Sequence, residues 1–219
     1  MIIWFATGNI HKKEELSSIL GNGRELKIPW ELKIPSEAGI DFDPDEKGNS
    51  FLENALIKAA ELYRLLEEHA PRGADAGVAG HAVIADDSGL CVDALNGRPG
   101  IYSARYGGGR LDAAGKNALL LTELGDNPLR KARFICAMVL YCGPNRFYAV
   151  QESMEGELVK NSGDARGKGG FGYDPILYIP ESGCTVAELP GEEKNRLSHR
   201  GKAGRVIAGL LDELAAQGR

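Results

Sequence analysis

The sequence predicts an α/β protein, and three observations carry that prediction. Short apolar runs suited to buried strands, Ile2–Ala6 and Ala82–Ala85, alternate with segments whose apolar residues recur at helical spacing. Two long strand-like runs, Arg133–Cys142 and Arg146–Glu157, flank Gly143-Pro144-Asn145, which reads as a hairpin turn. The chain has 219 residues, 43% of them hydrophobic, enough for one substantial core or for a core with a second lobe built around the 133–157 hairpin.

From the N-terminus, Ile2–Ala6 reads as a central strand broken by Thr7-Gly8-Asn9. A helix follows from about Lys12 to Leu20, with Leu16, Ile19 and Leu20 as its apolar stripe. Its start is unusual. His11, Lys12 and Lys13 stand where the helix dipole is positive, offset only in part by Glu14 and Glu15. An anion bound there, accepting from side chains and free backbone N–H groups, explains that arrangement; a solvated charged face is the plainer alternative. Residues 21–39 look irregular, with Trp30–Ile34 a candidate strand. The acidic loop Asp41–Asn49 leads into Ser50 and Glu53, a capping-box pattern. The helix it opens carries Phe51, Ala55, Ala59, Leu62 and Leu66 on one face, down to about His69. Residues 71–80, rich in Gly and Ala, read as an exposed loop.

The stretch Ala82–Tyr106 organises the chain. Its apolar run is expected to end at Asp86-Asp87, with Ser88-Gly89 turning the chain before Leu90-Cys91-Val92. Two adjacent carboxylates at the tip of a buried strand need a cationic partner, and a divalent metal would relieve their repulsion. As a bland alternative, the same four residues form a polar turn. Beyond a helix over 111–124 and the hairpin comes Gly167-Lys168-Gly169-Gly170-Phe171-Gly172-Tyr173-Asp174-Pro175. It contains a literal GxGxxG, but no strand precedes it and no helix follows, so the dinucleotide fingerprint fails; so does Walker A, which needs Gly-Lys-Ser/Thr. What remains is a glycine loop presenting Lys168, Phe171 and Tyr173, and Phe171 between glycines is suited to stacking on a flat ligand. Residues Glu192–Leu197 read as a polar turn or short helix. Ser198 then starts a final helix whose stripe is Val206, Ile207, Leu210, Leu211 and Leu214. His199, Arg200 and Lys202 crowd its first turn, repeating the anomaly of the first helix. Two such helices in one acidic protein point to a shared polyanion.

A net charge of −5 argues against a broad nucleic-acid surface. No apolar run approaches the roughly 20 residues that span a bilayer, and no signal-peptide pattern opens the chain. The four cysteines lack zinc-ligand spacing and read as buried free thiols, so a cytoplasmic location is expected.

Four motifs together resemble one family. They are Thr7-Gly8-Asn9-Ile10-His11-Lys12 with Glu15, Ser50-Phe51-Leu52-Glu53-Asn54-Ala55, the central ADDSGL…LNGRPGIYSARY, and GGFGYDP with SHRGKA. The chain resembles the inosine triphosphate pyrophosphatases, the non-canonical purine nucleoside triphosphate pyrophosphatases of the Ham1 type, from residue 2 to the final helix. Residues 21–39 and 71–80 look longer than is usual there. The resemblance implies an elongated mixed sheet flanked by helices, with two lobes and a central cleft, residues 1–219 forming a single domain of this type, and a homodimer. It implies hydrolysis of ITP, dITP and XTP to the monophosphate and pyrophosphate with Mg2+, clearing deaminated purines from the nucleotide pool.

Residue by residue, the resemblance makes Asp87 the carboxylate that activates water and, with Glu46, a metal ligand. It makes Thr7, Asn9 and Lys12 the triphosphate site, with Gly8, Ile10 and His11 as further substrate contacts, Glu15 orienting Lys12, and Asp86 either structural or a support just behind the metal ligands. Ser88 becomes a substrate contact and Phe171 the base-stacking ring. Gly172, Tyr173, Asp174, Lys194, His199 and Arg200 complete the substrate site. The expected partner is thus a small purine nucleoside triphosphate, with no nucleic acid and no membrane. A purine nucleotide sensor that does not hydrolyse is the alternative, but it has no need of Asp87 and Glu46. A phosphatase acting at the γ position is told apart by its products, and a purely structural dimer leaves the two cation-headed helices unexplained.

Overall fold

The computed structural model describes residues 2–21, 30–69 and 82–217. The expected 71–80 loop therefore lies outside the described residues. Among the described residues, seven strands form one mixed sheet: β1 (Ile2–Phe5), β2 (Glu31–Lys33), β3 (Ala82–Val92), β4 (Lys131–Tyr141), β5 (Phe147–Leu158), β6 (Leu177–Ile179) and β7 (Cys184–Thr185). Their order is β2-β1-β3-β4-β5-β6-β7. β1 runs parallel to β2 and β3, pairing Phe5 with Ile84, whereas β6 is antiparallel to both β5 and β7. Five α-helices accompany the sheet among the described residues: α1 (Ile10–Gly21), α2 (Phe51–His69), α3 (Ala113–Leu124), α4 (Gly191–Leu197) and α5 (His199–Ala216). Among the described residues, no helix is long and apolar enough to cross a membrane.

The chain divides into two compact units. The first comprises Met1–Asp87, Cys136–Glu152 and Arg200–Arg219; the second comprises Ser88–Ile135 and Ser153–His199. The tip of the 133–157 hairpin thus belongs to the first unit and only its outer ends to the second. At that tip the Arg146 N–H donates to the Gly143 carbonyl at 3.0 Å, closing the expected turn.

In the first unit the alternation of the strands sorts the core onto two faces. Ile3, Phe5, Ile84, Cys136, Met138 and Leu140 pack with Leu16 and Leu20 of α1 and with Ala203, Ile207 and Leu211 of α5. On the opposite face Trp4, Ala6, Val83, Ala85 and Val139 pack with Ala55, Ala59, Leu62 and Leu66 of α2. The helical stripes anticipated from spacing are the buried ones in α1 and α2. The α2 entry also behaves as expected. Ser50 Oγ accepts the Glu53 N–H at 3.1 Å, while Glu53 reaches back one residue further than a standard box, to the Asn49 N–H at 2.6 Å.

In the second unit Leu90 and Val92 of β3, Phe134 of β4 and Met154 and Leu158 of β5 pack with Leu120, Leu121 and Leu124 of α3 and with Leu177 and Ile179 of β6.

One expectation about β3 fails. The strand does not end at Asp86, and Ser88-Gly89 does not turn the chain: β3 runs unbroken from Ala82 to Val92, buried along almost all of its length. The physical reason is that the two acids need no turn to reach their partners. Adjacent strand residues point to opposite faces, so Asp86 and Asp87 are separated by the sheet itself and each meets cations on its own side.

Candidate active site

Asp86 is 1% exposed and lies on the α1/α5 face. Lys12 Nζ donates to its Oδ1 at 2.9 Å. Arg200 donates to Oδ2 from both Nε (3.2 Å) and a terminal nitrogen (3.0 Å). The other terminal nitrogen of Arg200 meets Glu15 Oε2 at 2.5 Å. Burial acts to raise the Asp86 carboxyl, but Lys12 and Arg200 outweigh it and hold the group well below the usual carboxylate range. The two cation-headed helices therefore do converge on one anion, and in this structure that anion is Asp86. Arg200, 2% exposed, is directed at Asp86 and Glu15. Glu15 meets Arg200, the partner sequence reasoning did not foresee. Cys136 also lies on this face, with Sγ 3.9 Å from Asp86 Oδ2; burial pushes its thiol up to about 12, which keeps it a neutral packing group.

The start of α1 is capped from within. Asn9 Oδ1 accepts the N–H groups of His11 (2.9 Å) and Lys12 (3.3 Å), and Thr7 Oγ1 accepts the Asn9 N–H at 3.1 Å. Thr7 is buried, Gly8 through Ile10 are exposed, and a Cβ built on Gly8 would meet nothing within 4 Å, so this turn is open to a ligand.

Asp87 occupies the α2 face, 7% exposed. Lys58 Nζ stands 3.1 Å from its Oδ1, and Asn54 Nδ2 donates to its Oδ2 at 3.2 Å. The same ammonium lies 3.3 Å from Glu46 Oε1. Burial raises the Asp87 carboxyl, and the opposing pull of Lys58 and the Asn54 hydrogen bond does not fully offset it. Lys58 suffers the same desolvation, but Asp87, Asp86 and Glu46 more than compensate, so its ammonium is favoured.

Asn54 has a second task. Its Oδ1 accepts the Gly48 N–H at 2.9 Å, tying the acidic loop to α2. A Cβ on Gly48 would lie 2.7 Å from that oxygen, so the close approach requires glycine. Within the loop, Asp45 is largely exposed and pairs with Lys47, whereas Glu46 turns toward Lys58 and Asp87. Lys58 and Asn54 were both missed from sequence. The available signal was two polar residues on the apolar stripe of a long helix, four positions apart.

Glu46 and Asp87 are within reach of one cation, and that bears on magnesium. Two hard carboxylates converging on a single ammonium offer the donor set of an ion that retains most of its waters and takes one or two carboxylates. No group of three or more His, Cys, Asp or Glu with metal-binding geometry occurs among the described residues. The residues present fit magnesium in that limited, water-rich mode.

Ser88 opens the second unit, half-buried in β3. There Phe171, Gly172, Tyr173 and Asp174 form a tightly bonded loop. Asp174 Oδ2 accepts the Phe171 N–H at 2.8 Å and Lys194 Nζ at 3.0 Å, and that ammonium sits 5.0 Å from the centre of the Phe171 ring. Gly170 has φ +72°, and a Cβ there would strike Asp174 Oδ2. Tyr173 is buried, and its hydroxyl donates to the Ser103 carbonyl at 2.9 Å; burial pushes the phenol up to about 12. Ser103, inside the YSARY motif, accepts the Leu90 N–H of β3 through Oγ at 2.9 Å and donates to the Gly100 carbonyl at 2.7 Å. The motif thereby braces strand and loop together. His199 is buried and stacks on Phe134 with centroids 5.0 Å apart.

The comparisons with known proteins agree. A protein of Treponema denticola named dITP/XTP pyrophosphatase is 45% identical over 206 residues, covering 93% of this chain and 94% of its own. One of the same name from Thermus thermophilus is 41% identical over 211 residues, covering 94% and 90%. The solved structure of a HAM1 protein from Coxiella burnetii superposes with a TM-score of 0.81 at 33% identity, covering 97% of this chain and 99% of that one. The Staphylococcus aureus Ham1 protein gives 0.79 at 34%, with the same coverage. The model of the Ham1 family matches residues 3–209. With the fold, the motifs and these relatives in agreement, the chain belongs to the Ham1 family.

Proposed function

We propose that the protein is a nucleoside triphosphate pyrophosphatase that converts ITP, dITP and XTP to the monophosphate and pyrophosphate with Mg2+. The observation that carries this reading is the Asp87–Lys58–Glu46 cluster: a buried carboxylate with a raised pKa, beside a second acid and an ammonium. A carboxylate of that kind suits a general base, because desolvation strengthens its hold on a proton. Asp87 takes the proton of the attacking water. Asn54 fixes the carboxylate by its hydrogen bond to Oδ2, and Lys58 balances the charge of Asp87 and Glu46. Glu46 and Asp87 would hold magnesium, which supplies neutralisation of the phosphate charge at the cleaved anhydride.

Thr7, Gly8, Asn9, Ile10, His11 and Lys12 form the triphosphate-binding turn; its exposed Gly8–Ile10 backbone supports that role. Asp86, Arg200 and Glu15 brace the turn through Lys12. Ser88 contacts the substrate next to Asp87. Phe171 stacks on the base, with Gly172, Tyr173, Asp174 and Lys194 shaping its surround. A donor at His199 or a nearby N–H group bonds the 6-oxo group of hypoxanthine or xanthine. Adenine presents an amino group there, and leaving two donors face to face can discriminate by about 10⁴. Residues 1–219 serve as a single domain of this family, in a homodimer of the cytoplasm, on the nucleotide pool rather than on nucleic acid.

The test is a panel of nucleoside triphosphates incubated with purified protein and Mg2+, with separate detection of pyrophosphate and orthophosphate. Pyrophosphate with monophosphate from ITP and XTP, and little from ATP, is the expected result. Orthophosphate with diphosphate would identify a γ-phosphatase instead. Tight nucleotide binding with no phosphate release would identify a sensor.

A further inference from the structure

We propose that Asn117 is a positioning residue for base recognition, clamping the glycine loop that carries Phe171 to α3. The inference rests on the reading above that Phe171 stacks on the base. Asn117 sits on the buried side of α3, one helical turn before Leu120 and Leu121 and two before Leu124, and is 7% exposed. Its Nδ2 donates to the Gly172 carbonyl at 3.1 Å. Its Oδ1 is buried and accepts no hydrogen bond among the described residues. A buried acceptor without a partner destabilises a fold, so stability alone favours an apolar residue here. The amide is accounted for by its donor, and that donor's one acceptor adjoins Phe171.

The loop needs such a clamp. Residues 167–172 line a cavity of about 360 Å³ together with Ala113, Ala114 and Asn117 of α3 and with Pro175 and Ile176. Four of those six loop residues are glycines, and Gly170 and Gly172 take left-handed φ values of +72° and +64°. Glycine backbone beside open space has many accessible states. Asp174 holds the Phe171 N–H itself, and two further tethers flank it: the Gly169 N–H donates to the Ala187 carbonyl at 3.1 Å, and Asn117 holds Gly172. Loss of the second lets the Phe171 ring sink toward the cavity and withdraws it from a base, while leaving the chemistry of the first unit untouched.

The experiment measures pyrophosphate release from ITP and from ribose 5-triphosphate, which has the same phosphates and no base. Asn117→Leu, Asn117→Asp and Phe171→Leu are compared with the parent chain. For Asn117→Leu, KM for ITP rises about tenfold, the worth of one hydrogen bond, with kcat within about twofold. KM for ribose 5-triphosphate stays put, and Tm moves by no more than a few degrees. Asn117→Asp shows the same KM defect at neutral pH. Relative to the parent at each pH, that defect shrinks as pH falls, because a protonated carboxyl can again donate to Gly172. Equal losses on both substrates, or an unchanged KM for ITP, overturn the clamp. If Phe171→Leu itself fails to separate the two substrates, the stacking reading falls and takes the clamp with it. If Phe171→Leu separates them and neither Asn117 variant does, only the clamp falls.

Discussion

Lys58 Nζ lies 3.1 Å from Asp87 Oδ1, and both side chains are close to fully shielded from water. Lys58 holds the Asp87 pKa down against a desolvation that pushes it up. Replacing Lys58 by Met should therefore raise that pKa further. A base acts deprotonated, so the acid limb of the kcat/KM profile should move to higher pH, and activity at neutral pH should fall. A pH–rate profile whose acid limb stays in place in the variant would count against Asp87 as the titrating base.

Asp87→Asn keeps the shape of the side chain and removes its basicity. Pyrophosphate release from ITP should drop by roughly 10²–10⁴, the usual worth of a positioned general base. Calorimetry should show ITP binding largely retained. Near-parental turnover in this variant would remove Asp87 from proton transfer.

Arg200→Leu leaves the buried Asp86 and the neighbouring Glu15 without their guanidinium. Removing one partner of a buried ion pair costs about 3–5 kcal/mol, to be read from the midpoint of urea unfolding. The double variant Arg200→Leu with Asp86→Leu should recover part of the loss. Failure of that recovery would mean the pair is not the source of the defect.

Asp86 also fixes a pH dependence. Its folded pKa is depressed, so its stabilising contribution is complete above the ordinary carboxylate range and is lost as pH falls below that range toward the folded value. Thermal unfolding across the acid range should show a steep loss in the parent chain. Asp86→Asn, although less stable at neutral pH, should show a shallower one. Parallel curves would contradict the linkage.

Chelation should stop turnover and added Mg2+ should restore it. In Glu46→Gln the Mg2+ concentration giving half-maximal rate should rise about tenfold or more, as for lost metal-site partners generally. A shift with Asp45→Asn instead would reassign the ligand within the acidic loop.

The elements were legible where spacing alone decides them. The Leu16, Ile19 and Leu20 stripe of α1 and the Phe51-to-Leu66 stripe of α2 are buried, the latter joined by Asn54 and Lys58. The acids at 86 and 87 stood out because carboxylates in an apolar run demand a partner. Their partners were harder to read. Lys58 lies 29 residues from Asp87 in sequence and Arg200 lies 114 from Asp86, and nothing local pairs them. The break expected at Ser88-Gly89 did not occur because sheet pairing and the Ser103 hydrogen bond to Leu90 override the turn preference of Ser and Gly. Tyr173 read as a pocket ring, yet its hydroxyl is turned to Ser103. An aromatic in a glycine loop does not reveal from composition which way it faces.

Because β3 passes straight through its two acids, parity along the strand decides which of them meets Lys58 and which meets Arg200. Deleting a single residue between Ala82 and Ala85, with pairing to β1 retained, would exchange their surroundings. Asp86, now locked between helices α1 and α5, would face α2, and Asp87 would be trapped against a guanidinium. Two neighbouring acids with different partners thus occupy opposite sides of one ribbon, and its alignment with β1 keeps them apart.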